Sequence, residues 1–239
     1  PISAVCTAYG TLYMLSKEEN GSNNEKQLVY CDCQIKGGSP IFLDIDNNNN
    51  KYPVALFGGS SLVAAINNEG EVIFINRNAV INSPESKISP SSLPNGEKAS
   101  SVACCSDSIL VLSTKGRVFL SQIDKKSNVL NLSSVKELAD EEIVYVSGTY
   151  NYFFAVNKEG RVFGKGSNEN GKLELGEGTE SVSLFTEISS LSGYKISEAY
   201  AGAFHSLFVT KNGQVLACGS NTHGQLLLNG KMNEIVYSP

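Results

Sequence analysis

Tryptophan is missing from this 239-residue chain, and methionine and histidine occur only twice each. With His205 and His223 as the whole histidine supply, a histidine-based nucleophile system has little to work with. No G-x-S-x-G elbow and no G-x-x-x-x-G-K-[ST] loop is present; Gly164-Lys-Gly-Ser and Asn170-Gly-Lys172-Leu lack the required spacing. Glu177 and Glu187 read as solvated surface carboxylates, so no catalytic residue is assigned. Cys31-Asp-Cys33 and the adjacent Cys104-Cys105 have no C-x₂-C spacing, so neither a metal nor a cofactor is expected. The six cysteines read as buried, reduced thiols of a cytosolic or nuclear protein.

Charge is also scarce. Only 18% of residues are charged, the net charge is -5, and no run of Lys or Arg exceeds two, which argues against a duplex-binding face. No stretch of 18 apolar residues is available to span a membrane. The opening Pro-Ile-Ser-Ala-Val-Cys is strand-like and does not read as a signal peptide.

What the chain has in quantity is glycine, 22 residues against 7 prolines, and β-rich runs between the glycines. Residues 206–209 and 215–218 are apolar runs joined by Lys211-Asn212-Gly213, which predicts a hairpin whose glycine supplies a positive φ. The same pattern surrounds Gly21, Gly70, Gly116 and Gly160, at successive spacings of 49, 46, 44 and 53 residues. Five units follow, roughly 1–45, 46–97, 98–142, 143–195 and 196–239. Each has room for its hairpin and a short outer strand (183–188, for instance) but none for a crossover helix. The predicted fold is therefore all-β, an array of antiparallel blades packed face to face. Two polar stretches interrupt it: the Asp44–Asn50 string, read as an insertion rather than a calcium loop, and residues 76–97, read as surface loop.

The last two units carry a more specific signature. Gly202, His205, Ser206, Leu207, Gly213, Val215, Gly219, Asn221, Gly224, Gln225 and Leu226 follow Gly-x-x-His-Ser-Leu … Gly-x-Asn-x-x-Gly-Gln-Leu-Gly. Gly148, Gly160, Val162, Gly166, Asn168, Gly171, Leu173 and Gly176 echo it one unit earlier, with Tyr152 in place of the histidine. In these features the chain resembles the regulator of chromosome condensation repeat family. The resemblance is specific over about residues 143–230 and diffuse before that. It implies a seven-bladed β-propeller, for which seven units need about 340 residues; this chain supplies about five, an incomplete ring. The ring would close on itself, be completed by a further polypeptide, or be joined by a second copy.

On this reading the motif glycines, Asn168, Asn221, His205, Ser206 and Gln225 are structural, with Gly166, Gly171, Gly219 and Gly224 holding turns between blades. His223, Asn170 and Glu177 are the candidate partner contacts. The resemblance implies two functions. One is a scaffold that binds a protein through blade-connecting loops. The other is guanine-nucleotide exchange on a small Ran-like GTPase with chromatin association, using a protrusion sought in 37–52, 76–97 or 176–193. Direct nucleic-acid binding is not expected.

Overall fold

The computed structural model describes residues 2–8, 11–17, 26–32, 41–42, 51–60, 62–75, 89–123, 130–176, 178–227 and 235–236. Among these, every element longer than three residues is a β-strand. β1 (Ile2–Ala8), β2 (Thr11–Lys17), β3 (Lys26–Asp32) and β4 (Ile41–Phe42) make the first sheet, and β5 (Pro53–Gly58), β6 (Val63–Asn67) and β7 (Val72–Ile75) the second. The third holds β8 (Ala99–Cys104), β9 (Ser108–Ser113), β10 (Val118–Gln122) and β11 (Ser133–Ser134). β12 (Ile143–Thr149), β13 (Tyr152–Asn157), β14 (Val162–Ser167) and β15 (Ser181–Glu187) form the fourth. β16 (Ile196–Ala201), β17 (His205–Thr210), β18 (Val215–Ser220) and β19 (Ile235–Val236) form the fifth. Strand order follows chain order in all five sheets, so each is a meander with no crossover. The fold is the all-β propeller type expected from the repeat.

The hairpins at Gly70, Gly160 and Gly213 share one construction, different in detail from a two-residue Asn-Gly turn. Gly70 N–H donates to the Asn67 carbonyl, and Asn67 N–H to the Glu71 carbonyl, at 3.0 Å each. That is a three-residue loop closed by a glycine in the left-handed region, here at φ 81°. Asn67 Oδ1 also accepts from the Glu71 amide, Asn157 Oδ1 from Arg161 and Thr210 Oγ1 from Gln214, each at 2.8–2.9 Å. The glycine carbonyls then reach forward. Gly70 accepts from Ala99 N–H, Gly116 from Ile143 and Gly160 from Ile196, at 2.8, 3.0 and 3.1 Å. Each hairpin tip is thereby tied to the first residue of the following sheet.

Packing divides the chain into one unit of residues 1–114 and 119–133 and another of 115–118 and 134–239. In the first unit, Tyr13 and Leu15 of β2 pack with Val63, Ala65, Ile73 and Ile75 of the second sheet. The opposite residues of that sheet, Ala64, Ile66, Val72 and Phe74, pack with Val102, Ile109, Val111 and Phe119 of the third. β6 and β7 are consequently buried at every position, which is why they read as continuous apolar runs. In the second unit, Tyr152, Phe154, Val156 and Val162 of the fourth sheet meet Ala199, Phe208, Leu216 and Cys218 of the fifth. The rings of Phe154 and Phe208 stack edge to face, 5.2 Å between centroids. Burying each large apolar side chain stabilises the pair of sheets by roughly 1.5–3 kcal/mol before entropy is counted. Cys104, Cys105 and Cys218 are buried free thiols, and burial pushes the Cys104 and Cys218 pKa values up.

Two of the candidate protrusions do not project where the structure describes them. Residues 181–187 are β15, paired with β14 as the outer strand of the fourth sheet. Ser91 bridges back to Val72. Gly21, Glu177 and the Asp44–Asn50 string lie outside the described residues.

The hairpin glycines should differ in their tolerance of substitution. An added Cβ at Gly160 would come within 2.9 Å of the Ile196 amide nitrogen, whereas at Gly213 it would meet nothing within 4 Å. We expect Gly213→Ala to cost roughly 1 kcal/mol, from left-handed backbone strain alone. Gly160→Ala should cost roughly 2–3 kcal/mol, with the clash added. Urea midpoints of the two variants check the order.

Candidate functional site

The motif segments of the fourth and fifth sheets build the loops at one end of each sheet. Asn168 is the knot of the first corner. Its Oδ1 accepts from Leu173 N–H at 2.9 Å, and its Nδ2 donates to the Gly176 and Thr179 carbonyls at 3.2 and 2.8 Å. Asn221 repeats the acceptor role with Leu226 N–H at 2.9 Å. Gly171 and Gly224 close tight turns back to those asparagines, with φ of 68° and 74°. Gly166 and Gly219 lie inside β14 and β18 rather than in the turns. There the preceding loop crosses so closely that a Cβ would sit 2.2 Å from the Asn151 carbonyl oxygen or 2.6 Å from that of Phe204. That crossing is fixed by Ser167 N–H donating to Asn151 and Ser220 N–H to Phe204, at 3.0 and 2.8 Å.

Beneath these loops runs a polar seam between the fourth and fifth sheets. The Tyr152 hydroxyl lies 2.7 Å from the Gly202 carbonyl, 2.8 Å from that of His205 and 3.0 Å from Ser206 Oγ. It has one proton, so it donates to one acceptor at a time, while Ser206 Oγ donates to the Lys172 carbonyl at 2.7 Å. Lys172 itself is buried. Its ammonium donates to Asn151 Oδ1 at 3.0 Å and stands 5.1 Å from the Tyr152 ring centroid. His205, in the equivalent place one sheet on, lays its imidazole against Gly202, where a Cβ would be 2.4 Å from the ring. Partial burial pushes the His205 pKa down, which keeps the ring neutral at pH 7. Gly148 gives the Phe153 ring room in the same way.

Glu174 departs from the repeat. It stands where the motif run ends in glycine, with φ 59°, and Leu227 does the same one unit later with φ 56°. The Glu174 carboxyl is buried without a hydrogen-bond partner, and its pKa is pushed up to about 7, chiefly by burial. The Cys218 thiol and Ser190 hydroxyl lie beside it and lower it only in part.

At the surface, Tyr150 and Phe204 occupy the β12–β13 and β16–β17 turns with their rings 6.3 Å apart, 50% and 46% exposed. Leu227, in the loop after β18, is 89% exposed. Of the expected contacts, His223 shares the loop of Leu227, and Asn170 lies in the β14–β15 loop. His223 is exposed, with Nδ1 3.0 Å from Thr222 Oγ1 and its amide donating to Gln225 Oε1 at 2.8 Å. Asn170 is half-buried in a left-handed conformation, φ 60°. The exposed aromatic pair was not picked out from sequence. Its signal was there: large aromatics in short turns beside glycine and asparagine, where nothing in the repeat requires them. Among the described residues no group of three His, Cys, Asp or Glu is placed to hold a metal ion.

Antiparallel meander sheets, packed face to face within each unit, define a repeat propeller. Models of the regulator of chromosome condensation (RCC1) repeat match residues 159–209 and 196–225. The chain carries repeats of that family over this stretch and has the fold of its propellers. It superposes on human WBSCR16 with a TM-score of 0.76 at 18% identity, covering 98% of this chain and 66% of that one. For Prp20p from Saccharomyces cerevisiae the values are 0.74 and 12%, covering 100% and 62%. It is thus an incomplete propeller beside those solved ones. Among curated proteins, the secretion-regulating guanine nucleotide exchange factor of Bos taurus is 36% identical over 102 residues, 42% of this chain and 22% of that protein. The probable E3 ubiquitin-protein ligase HERC6 of Homo sapiens is 30% identical over 140 residues, 54% of this chain and 14% of the relative. The chain therefore spans less than a quarter of either relative's length.

Two variants test the seam. Tyr152→Phe keeps the ring packing and removes the hydroxyl; we expect a loss of about 1–2 kcal/mol in urea unfolding. Glu174→Gln tests the buried carboxyl. Its folded-state pKa of about 7 lies above the ordinary carboxylate value of 4.5, so the folded protein holds a proton that the unfolded chain releases. Stability from this group is fully present below about pH 4.5 and is lost as pH rises through 7. Glu174→Gln should therefore be more stable than the parent at pH 8, with the gain shrinking or vanishing at pH 5. Thermal melts at the two pH values check the sign.

Proposed function

We propose that the chain is the partner-binding propeller of a guanine-nucleotide exchange factor for a small GTPase of the Ran type. Exchange suits a protein without a catalytic constellation, because it forms and breaks no covalent bond. The factor needs only a surface that binds the nucleotide-free GTPase better than the loaded one. The observation that carries the reading is the exposed Tyr150–Phe204 pair, with His223 and Leu227 also exposed in the corner loop after β18. Clustered exposed aromatics are the usual anchors of protein interfaces. Two comparisons give the partner its class. The bovine relative is named a guanine nucleotide exchange factor, and the Prp20p structure was reported together with binding to Gsp1p and histones. A net charge of -5 favours a basic protein surface over a DNA backbone. The nucleus or cytosol, where the free thiols of Cys6, Cys104, Cys105 and Cys218 stay reduced, is the matching compartment.

The test is release of fluorescent GDP from a panel of small GTPases in the presence of the 239-residue chain. We expect at least tenfold acceleration on a Ran-type member, and loss of most of it in a Tyr150→Ala, Phe204→Ala double variant with unchanged circular dichroism. Binding to a GTPase with no acceleration on any member would refute exchange and leave a plain protein-binding scaffold.

A further inference from the structure

A carboxyl group closes the corner after β14, and nothing hydrogen-bonds to it. We propose that Glu174 is the latch of a pH-dependent switch: as a neutral acid it holds the corner of residues 168–176 shut against the turn that carries Tyr150, and as an anion it lets that corner go. The proposal rests on the reading of Tyr150 and Phe204 as the partner site, and it gives that site a means of control.

Residues 172–174 enter the protein as a plug. Lys172, Leu173 and Glu174 are buried, whereas Gly176 just beyond them is exposed. Both carboxyl oxygens of Glu174 lie inside without a hydrogen bond. The groups beside the carboxyl are neutral: the Cys218 thiol from β18 and the Ser190 hydroxyl from the short turn after β15. That hydroxyl donates to the Glu174 backbone carbonyl at 3.2 Å, and the thiol lies 3.7 Å from the Lys172 carbonyl. Lys172, the cation closest in sequence, directs its ammonium to Asn151 Oδ1 at 3.0 Å. The Tyr152 and Ser206 hydroxyls are bonded to each other and to backbone carbonyls. A carboxylate here meets neither a counter-ion nor a set of donors, so its charge carries the full cost of leaving water. Burial accordingly pushes the Glu174 pKa up to about 7.

The backbone makes this a point of release. Glu174 stands in the left-handed region, φ 59°, where an L side chain is strained. Turning its carboxylate out to water relieves the strain and the buried charge together. The movement gives up the Ser190 bond and the bond from Asn168 Nδ2 to the Gly176 carbonyl, 3.2 Å each. It is passed on by Lys172, two residues away, whose ammonium grips Asn151. Asn151 adjoins Tyr150, so a loosened Lys172 loosens the turn on which the Tyr150 ring meets that of Phe204.

The sign follows from where the proton is held. The closed corner keeps it up to about pH 7, and the open corner releases it at the ordinary carboxylate value of 4.5. The corner is therefore tightest below about pH 4.5 and loosens as pH rises through 7. His205, the imidazole of the seam, has its pKa pushed down from 6.5 by partial burial and stays neutral over the upper part of that range.

Hydrogen exchange tests the latch with no partner present. Protection of the 168–176 peptide, corrected for intrinsic exchange, is compared at pH 5 and pH 8 with that of the 152–157 peptide of β13. We expect corner protection to fall at least tenfold between the two pH values. It should end at least tenfold below that of β13, which marks the opening as local. Glu174→Gln should remove the fall, and so should Glu174→Gly, which suits the left-handed backbone. Corner and strand exchanging together at pH 8, or a fall that persists in both variants, overturns the latch. Control of the partner site is read from GDP release. Acceleration by the parent relative to Glu174→Gln should drop at least twofold from pH 6 to pH 8, and a constant ratio overturns the gating. Should no small GTPase respond at any pH, the exchange reading falls, and the hydrogen-exchange result alone upholds or overturns the latch.

Discussion

A sheet whose two faces are both apolar cannot stand alone, and every other feature of this structure follows from how each face is covered. Alternate residues of the central strands point to opposite neighbours, so Ala64 and Ile66 pack forward while Val63 and Ala65 pack back. A single strand then belongs to two cores at once. Charge is excluded from β6, β9 and β13 for that reason, and the polar residues are driven to turns, corners and outer strands. The low overall charge of the chain is the compositional shadow of this packing.

Hydrogen bonds add register to what apolar burial alone leaves free to slide. The glycine carbonyl at each hairpin tip fixes one end of the next sheet, and the Tyr152 hydroxyl fixes the other end of the fourth-to-fifth seam. Between them the apolar residues can only meet in one alignment. The loops above the seam are held by asparagine side chains and by close backbone crossings at Gly166 and Gly219. They present Tyr150 and Phe204 on a rigid base, which suits recognition better than a mobile loop would.

The repeat, the hairpin glycines and the β class could be read from the residues because each rests on local physics. A glycine recurring between apolar runs has few structural uses, and a period near 48 residues leaves no space for helices. The type of turn was less legible. Asn67, Asn157 and Thr210 cap their loops from three residues before the glycine, a spacing visible only when the hairpins are aligned on their strands. Gly166 and Gly219 read as turn residues because they open a corner motif, yet the chain needs them where the loop leading into the adjacent strand crosses β14 or β18. Tyr152 showed itself in sequence as the residue in a histidine's place; that its hydroxyl bridges to the next sheet is a long-range fact. Glu174 was invisible for the opposite reason, since a glutamate in a polar corner is ordinary until its carboxyl is found without a partner.

The distance along the chain between seam partners has a consequence for synthesis. Tyr152 and Ser206 are 54 residues apart. On the ribosome β13 emerges well before β17, and its face of Tyr152, Phe154 and Val156 stays bare until β17 follows. The nascent protein therefore always carries one greasy sheet at its growing end, handed on from blade to blade as translation proceeds. At about 5–20 residues per second, each such face is open for several seconds, long enough for a chaperone to bind it or for two neighbouring nascent chains to join by mistake.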